Sequence, residues 1–299
     1  MGYGDGPFVS VPLFLVPTVG KTGGQTRKDR PYISRIGKAA QKLTAKGLSN
    51  LSVGKTASVT VSGAKGTKTF SSSNTAAAAV DKNGLITARK VGTAKITVTS
   101  SATSDFNKAS KTLTINIVPV ATASLTADNQ AKGIKLTWKK VDGANGYHVY
   151  RDSTRIKTIT NGSTETYTDT AANTNGTKYT YKIVARASTG DSTLSKSLTT
   201  YHVAQPAVKT LTNSSSKKMT VTWAKNARAT GYQIQYSTDS GFKSGNNSVN
   251  VSNVSTVSKV IGSLSKGKTY YVRIRTYKTA GSKNYWSAWS AKKSVKISK

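Results

Sequence analysis

With 299 residues the chain has room for two or three domains, and a hydrophobic content of 36% with a mean hydropathy of −0.40 reads as a soluble polypeptide. Without Cys there is no disulfide, no thiolate zinc site and no thiol nucleophile. The 45 Lys+Arg against 11 Asp+Glu leave a formal charge of +34, which draws the surface toward polyanions: nucleic acid, acidic polysaccharide, an anionic membrane or an acidic protein lattice.

The most apolar run comes first, at residues 7–19, "PFVSVPLFLVPTV". The preceding "MGYGDG" lacks the positive charge of a signal peptide, and a retained Met1 fits cytoplasmic assembly. Pro7, Pro12 and Pro17 forbid a continuous helix, and the run is shorter than the roughly 20 residues of a membrane span, so no membrane insertion is expected. Residues 1–39 therefore read as an extended arm. Phe8, Val9, Val11, Leu13, Phe14, Leu15 and Val16 need a cover, which is either a partner's surface or the chain's own domains. Arg27, Lys28 and Arg30 lie in the basic connector that follows and join them as partner-anchoring residues.

From about residue 40 the pattern has the period of strands. "ASVTV" (57–61), "AKITVT" (94–99) and "KTLTINIV" (111–118) alternate apolar and polar residues. "VDKNGLITA" (80–88) places two strand fragments around Asn83-Gly84, a strong hairpin signal. Residues 53–56, 72–74, 80–87 and 92–98 follow the V-G-x-T, S-S-N, V-D-x-N-G-L-I-T and G-T-A-x-I-T-V pattern, so residues 40–118 resemble a bacterial group-2 immunoglobulin-like domain. Phe70 stands where that family usually has Trp or Tyr and is expected to plug the core.

The rest of the chain repeats itself. "IKLTWKKVDGANGYHVYR" (134–151) matches "MTVTWAKNARATGYQIQYS" (219–237), and "GTKYTYKIVARAS" (176–188) matches "GKTYYVRIRTYKT" (267–279). Residues 119–203 and 204–299 resemble two fibronectin type III domains. The resemblance assigns the buried strand-B Trp to Trp138 and Trp223 and the strand-F Tyr to Tyr179 and Tyr270, with Tyr147 and Tyr232 nine residues after each Trp. The fold expected is all-β: an extended N-terminal arm, then three tandem sandwiches. Pro119 and Pro206 mark short junctions that restrict hinging.

Little here suggests an enzyme. The acids are scattered, Asp81 and Asp142 sit in turn sequences, and no carboxylate pair or His-centred triad can be assembled. Strand alternation turns His148 outward beside the core Tyr147, and His202 falls at a junction, so no metal site is expected. No phosphate loop follows a strand; no catalytic residue and no cofactor is assigned.

Near the end, "YWSAWS" (285–290) contains a W-S-x-W-S motif. Trp286 and Trp289 could stack on sugar rings. Alternatively they interleave with Arg273 and Arg275, which alternation points outward if Tyr270, Val272 and Ile274 point inward. The second arrangement resembles the Trp/Arg ladder of cytokine-receptor fibronectin domains and is the one expected here.

Charge is uneven: 17 Lys+Arg against one Asp give +16 over residues 204–299, compared with +5 over 119–203. The last domain is the polyanion-facing candidate, although no aromatic-lined basic groove points to specific nucleic acid. The architecture resembles decoration or auxiliary capsid proteins of tailed phages. That resemblance implies a virion location on the outer capsid surface, with the major capsid protein or another virion lattice protein as partner and anionic glycans of host or mucus as a further one. The alternative is an extracellular or cell-surface bacterial adhesin or spacer, where the same domains also occur.

Overall fold

The computed structural model describes residues 37–299, which form three β-sandwiches along the chain and contain no helix. The arm residues Phe8 to Val16 and Arg27, Lys28 and Arg30 lie outside the described residues.

The first sandwich comprises β1 (Thr44–Lys46), β2 (Asn50–Ser52), β3 (Thr56–Ser58), β4 (Thr60–Ser62), β5 (Lys68–Ser72), β6 (Ala78–Val80), β7 (Leu85–Ala88), β8 (Gly92–Ser100) and β9 (Ala109–Val118). A β2-β9-β8-β5 sheet faces a β3-β7-β6 sheet, with β1 and β4 paired at one edge. Alternation decides what is buried: Ala94, Ile96 and Val98 of β8 meet Ile115 and Ile117 of β9 in the core, while Thr97 and Thr112 share a hydrogen bond on the outer face. The turn between β6 and β7 is built by Asp81, whose carboxylate accepts from the Asn83 and Leu85 N–H groups. Gly84 there has a φ of 82°, and a Cβ on it would come within 2.8 Å of the Phe70 ring. The half-buried Phe70 thus packs on both the core and the hairpin turn.

The second sandwich comprises β10 (Leu125–Asn129), β11 (Ile134–Trp138), β12 (Gly146–Arg151), β13 (Thr154–Ile159), β14 (Thr166–Asp169), β15 (Lys178–Arg186) and β16 (Leu198–Tyr201). The third comprises β17 (Val208–Ser215), β18 (Lys218–Trp223), β19 (Gly231–Ser237), β20 (Asn247–Val251), β21 (Ser258–Ile261), β22 (Thr269–Ala280), β23 (Lys283–Trp286) and β24 (Lys293–Lys296). Their strand orders correspond. A β10-β11-β14 sheet faces β13-β12-β15-β16, and a β17-β18-β21 sheet faces β20-β19-β22 with β23 and β24 sharing the far edge of β22.

The aromatic plugs are near copies. Trp138 meets Tyr147 edge-on at 5.3 Å between ring centres, and Trp223 meets Tyr232 at 5.4 Å. The Tyr147 hydroxyl accepts from Val141 N–H and donates to the Gly162 carbonyl; the Tyr232 hydroxyl accepts from Asn226 N–H and donates to the Val254 carbonyl. Both indole N–H groups are buried without an acceptor, so both cores make the same concession to volume over hydrogen bonding. Tyr179 and Tyr270 are buried at the start of the long strands β15 and β22.

The two cores differ at a buried polar cluster. Asp169, at the end of β14, accepts from Arg151 Nη1 at 2.9 Å and from the Tyr181 hydroxyl at 2.8 Å, joining the two sheets of the second sandwich. Strand register places Ile261, Tyr236 and Val272 at the corresponding positions of the third. Burial, then the hydrogen bond to Asp169, push the Tyr181 hydroxyl far above the usual tyrosine range.

Candidate functional site

Two features of residues 119–299 concentrate chemistry: the outer face of the third sandwich and the joints between domains. On β22, Tyr270, Val272 and Ile274 are buried, so Arg273 and Arg275 emerge on the opposite face. Arg273 lies between Phe242, at 4.2 Å from the ring centre, and Trp289, at 4.6 Å. Arg275 lies between Trp289, at 4.3 Å, and Trp286, at 4.0 Å. The order is Phe242, Arg273, Trp289, Arg275, Trp286, with each cation between two π faces.

Amide oxygens of the neighbouring strand β19 hold the cations in place of carboxylates. Arg275 Nε and Nη2 donate to Gln233 Oε1 at 2.9 and 2.6 Å, and Arg273 Nε donates to Gln235 Oε1 at 2.7 Å. Burial lowers the pKa of both guanidinium groups, reinforced at Arg275 by the charge of Arg273.

The Trp residues do not both lie on a strand. Trp286 ends β23, and Trp289 belongs to the irregular stretch before β24. Along that stretch Ser287 and Ser290 each bond twice to β22: their N–H groups donate to the Thr276 and Ile274 carbonyls, and their hydroxyls accept from the N–H groups of the same two residues. Hydroxyls replace the carbonyls that a regular strand would supply, leaving the Trp side chains free to turn toward the arginines.

The second sandwich has the same serine device. Ser192 and Ser195 bond in the same double fashion to Ala185 and Ile183 of β15. "DSTLS" (191–195) thus corresponds to "WSAWS" (286–290), with Asp191 in the place of Trp286 and Leu194 in the place of Trp289. Sequence reasoning missed this because the serine spacing is quiet without its tryptophans. It also missed Phe242, which sits in the polar insertion "STDSGFKSGNNS", and the two glutamines.

His148 is on the outer face of its sheet, but it is not exposed. The segment carrying Asp191 covers it, with Asp191 Oδ2 at 3.6 Å and Arg155 Nη1 at 3.5 Å from Nε2, and Thr158 Oγ1 at 3.0 Å from Nδ1. Burial, then the Arg186 charge, lower its pKa against the opposing pull of Asp191. His202 is 3% exposed at the second joint, and burial lowers its pKa too, against the opposing pull of the Gln130 backbone. Among the described residues no group of three His, Cys, Asp or Glu side chains is placed to hold a metal ion.

The joints are hydrogen-bonded. Thr189 Oγ1 donates to the Ile117 carbonyl, and Val91 packs on the backbone at Gly143, linking the first and second sandwiches. At the second joint Asn129 donates to the carbonyls of Tyr201 and Trp286, at 2.9 and 3.0 Å, and accepts from Val203 N–H. Tyr201 and Tyr285 stack at 4.9 Å, and Gln205 donates to the Trp289 carbonyl, so the ladder segment is itself part of the joint.

Residues 41–112 match the family model of the bacterial Ig-like domain (group 2), and residues 204–293 match that of the fibronectin type III domain. The chain carries one domain of each kind. Residues 119–203, between them, repeat the strand order of the fibronectin domain. Among solved structures, that of the chicken CNTN1 FN1-FN3 domains is similar at 17% identity and a TM-score of 0.36, covering 88% of this chain and all of that one. No curated protein matches. Among the described residues no helix is long and apolar enough to cross a membrane.

Proposed function

We propose that the chain is a non-enzymatic display module: a decoration or auxiliary capsid protein of a tailed phage, held on the virion lattice by its N-terminal arm and presenting a basic outer domain to anionic glycans. The fibronectin and Ig-like domains support the coarser part of this reading, a β-sandwich spacer or adhesion module. The observation that carries the polyanion-facing role is electrostatic. The single acid of residues 204–299, Asp239, accepts hydrogen bonds from the N–H groups of Gly241, Lys243 and Ser244, which lower its pKa. That one ionised carboxylate faces 17 cations, so the domain keeps a net charge of +16, and the ladder arginines rest on rings and amides.

Retention on an immobilised acidic polysaccharide tests this. Reversing Lys259, Lys293 and Lys296 to Glu in the full chain is expected to shift elution to markedly lower salt than reversing Lys55, Lys95 and Lys111 of the first sandwich. Equal shifts would show that the charge is a diffuse, solvated surface.

The bacterial Ig-like match favours one other reading, a bacterial cell-surface adhesin or spacer, in which the basic domain would face the anionic polymers of an envelope.

A further inference from the structure

The second joint carries an open, solvent-facing cleft of about 580 Å³ whose walls come from both fibronectin-type sandwiches and the linker between them. Its size is that of small-ligand sites, roughly 300–1,000 Å³, and domain junctions are favoured places for such sites. We propose that this cleft binds an anionic saccharide, with Lys225 and Arg228 as the charge-reading groups. The proposal rests on the polyanion-facing reading above and gives it a location.

Three observations carry it. First, the lining includes two cations and no acid, and neither Lys225 nor Arg228 forms an ion pair among the described residues. A guanidinium and an ammonium lining one cleft suit a carboxylate or sulfate, the guanidinium by a two-pronged contact. Second, the floor is apolar where Ala204, Pro206, Ala207 and Ala224 line it, which suits the C–H face of a sugar ring better than a bare inorganic anion.

Third, the walls are tied together before any ligand arrives. Asn175 of the second sandwich donates to Asn226 Oδ1 of the third at 2.7 Å and accepts from Ala204 N–H of the linker at 3.0 Å. The Ala204 carbonyl accepts from Thr276 Oγ1 at 2.6 Å and from Asn226 Nδ2 at 3.4 Å. The stem of Arg228 lies on Gly176, whose φ is 76° and where a Cβ would stand 2.8 Å from Arg228 Cβ. A glycine at that spot lets the arginine cross the joint with its stem supported. Walls already fixed reduce the ordering cost of binding.

The test uses the full chain and measures affinity for hyaluronate oligosaccharides, as the carboxylate probe, and heparin oligosaccharides, as the sulfate probe, by calorimetry at physiological salt. The Lys225→Glu/Arg228→Glu variant is expected to lose about tenfold in affinity for one or both, which is about 1.4 kcal/mol for the two charge contacts together. Lys55→Glu/Lys111→Glu, an equal charge change on the first sandwich, is expected to stay within about twofold. Amide shifts of Asn175, Ala204 and Asn226 on titration place the ligand, and the probe that shifts them identifies the anionic group. Equal losses for the two variants would overturn the cleft while leaving the polyanion-facing reading standing. No binding of either probe by the unaltered chain would overturn both. Duplex DNA binding as tightly, with the same dependence on Lys225 and Arg228, would overturn the saccharide class.

Discussion

Arg275 rests with its guanidinium carbon 4.0 Å from the ring centre of Trp286, and it has a second ring, that of Trp289, on its other side. Because the Trp286 and Trp289 carbonyls also take hydrogen bonds from Asn129 and Gln205, this stack is continuous with the joint to the preceding domain.

The first prediction follows from that stack. Arg275→Ala removes two cation–π contacts and two hydrogen bonds to Gln233. The third sandwich should lose about 2 kcal/mol, a fall in its melting temperature of roughly 8–15 °C for a domain of this size. An unchanged melt accompanied by lost saccharide binding would assign Trp286 and Trp289 to a ligand instead.

A second prediction concerns the buried carboxylate of the middle domain. Asp169→Ala leaves Arg151 and the Tyr181 hydroxyl without their shared acceptor and should cost about 3 kcal/mol, seen in denaturant unfolding of that domain. Replacing all three together by the residues the third sandwich uses, as Asp169→Ile, Arg151→Tyr and Tyr181→Val, should recover most of that loss. A triple variant less stable than Asp169→Ala would mean that the polar triad organises the core beyond its own bonds.

Acid should loosen the middle of the chain selectively. The two histidines, His148 and His202, both have pKa values lowered by burial, so the folded state disfavours their protonation. The stability they contribute is present above the unfolded histidine pKa of about 6.5 and is lost as pH falls from there through their lower folded values. Hydrogen exchange between pH 7 and pH 5 should show falling protection on β15 and little change on β22, whose domain has no histidine. His148→Gln, which installs the residue found at the matching position 233, should remove the His148 part. Parallel losses on both strands would contradict this account.

Asn129 is the pin of the second joint. Asn129→Ala removes its bonds to Tyr201, Val203 and Trp286 and should cost about 1–3 kcal/mol of docking. Backbone relaxation should then report the third sandwich tumbling more independently; unchanged rotational correlation would place the stiffness in Pro206 and the Tyr201–Tyr285 stack.

How much of this is legible in the sequence depends on how local each signal is. The strand alternation of "AKITVT" and the Trp–Tyr spacing of nine are repeated, short-range patterns, and the Trp138–Tyr147 and Trp223–Tyr232 contacts lie within them. Arg273 and Arg275 are readable because they alternate with buried residues on one strand. Phe242 is not, since it reaches Arg273 from a polar loop 31 residues earlier in the chain, with a φ of 54° that no pattern signals. His148 shows the same limit: alternation assigns its face, but only the tertiary path of residues 191–195 decides that the face is covered. The Asp169–Arg151–Tyr181 contact joins three strands, and the residues' separations carry no periodic mark.

The N-terminal arm gives a further prediction. If the virion reading holds, deleting residues 1–38 leaves three folded sandwiches that no longer join phage particles. Truncated protein found on particles at the copy number of the full chain would show that Phe8, Phe14 and their neighbours are not the tether.

Quantitative mass spectrometry of purified phage particles and of the host cell envelope from the same culture tests the central claim most directly. The account predicts this chain at a fixed ratio to the major capsid protein in the particles. Its presence in the envelope fraction alone would contradict the virion reading and leave the cell-surface adhesin in its place.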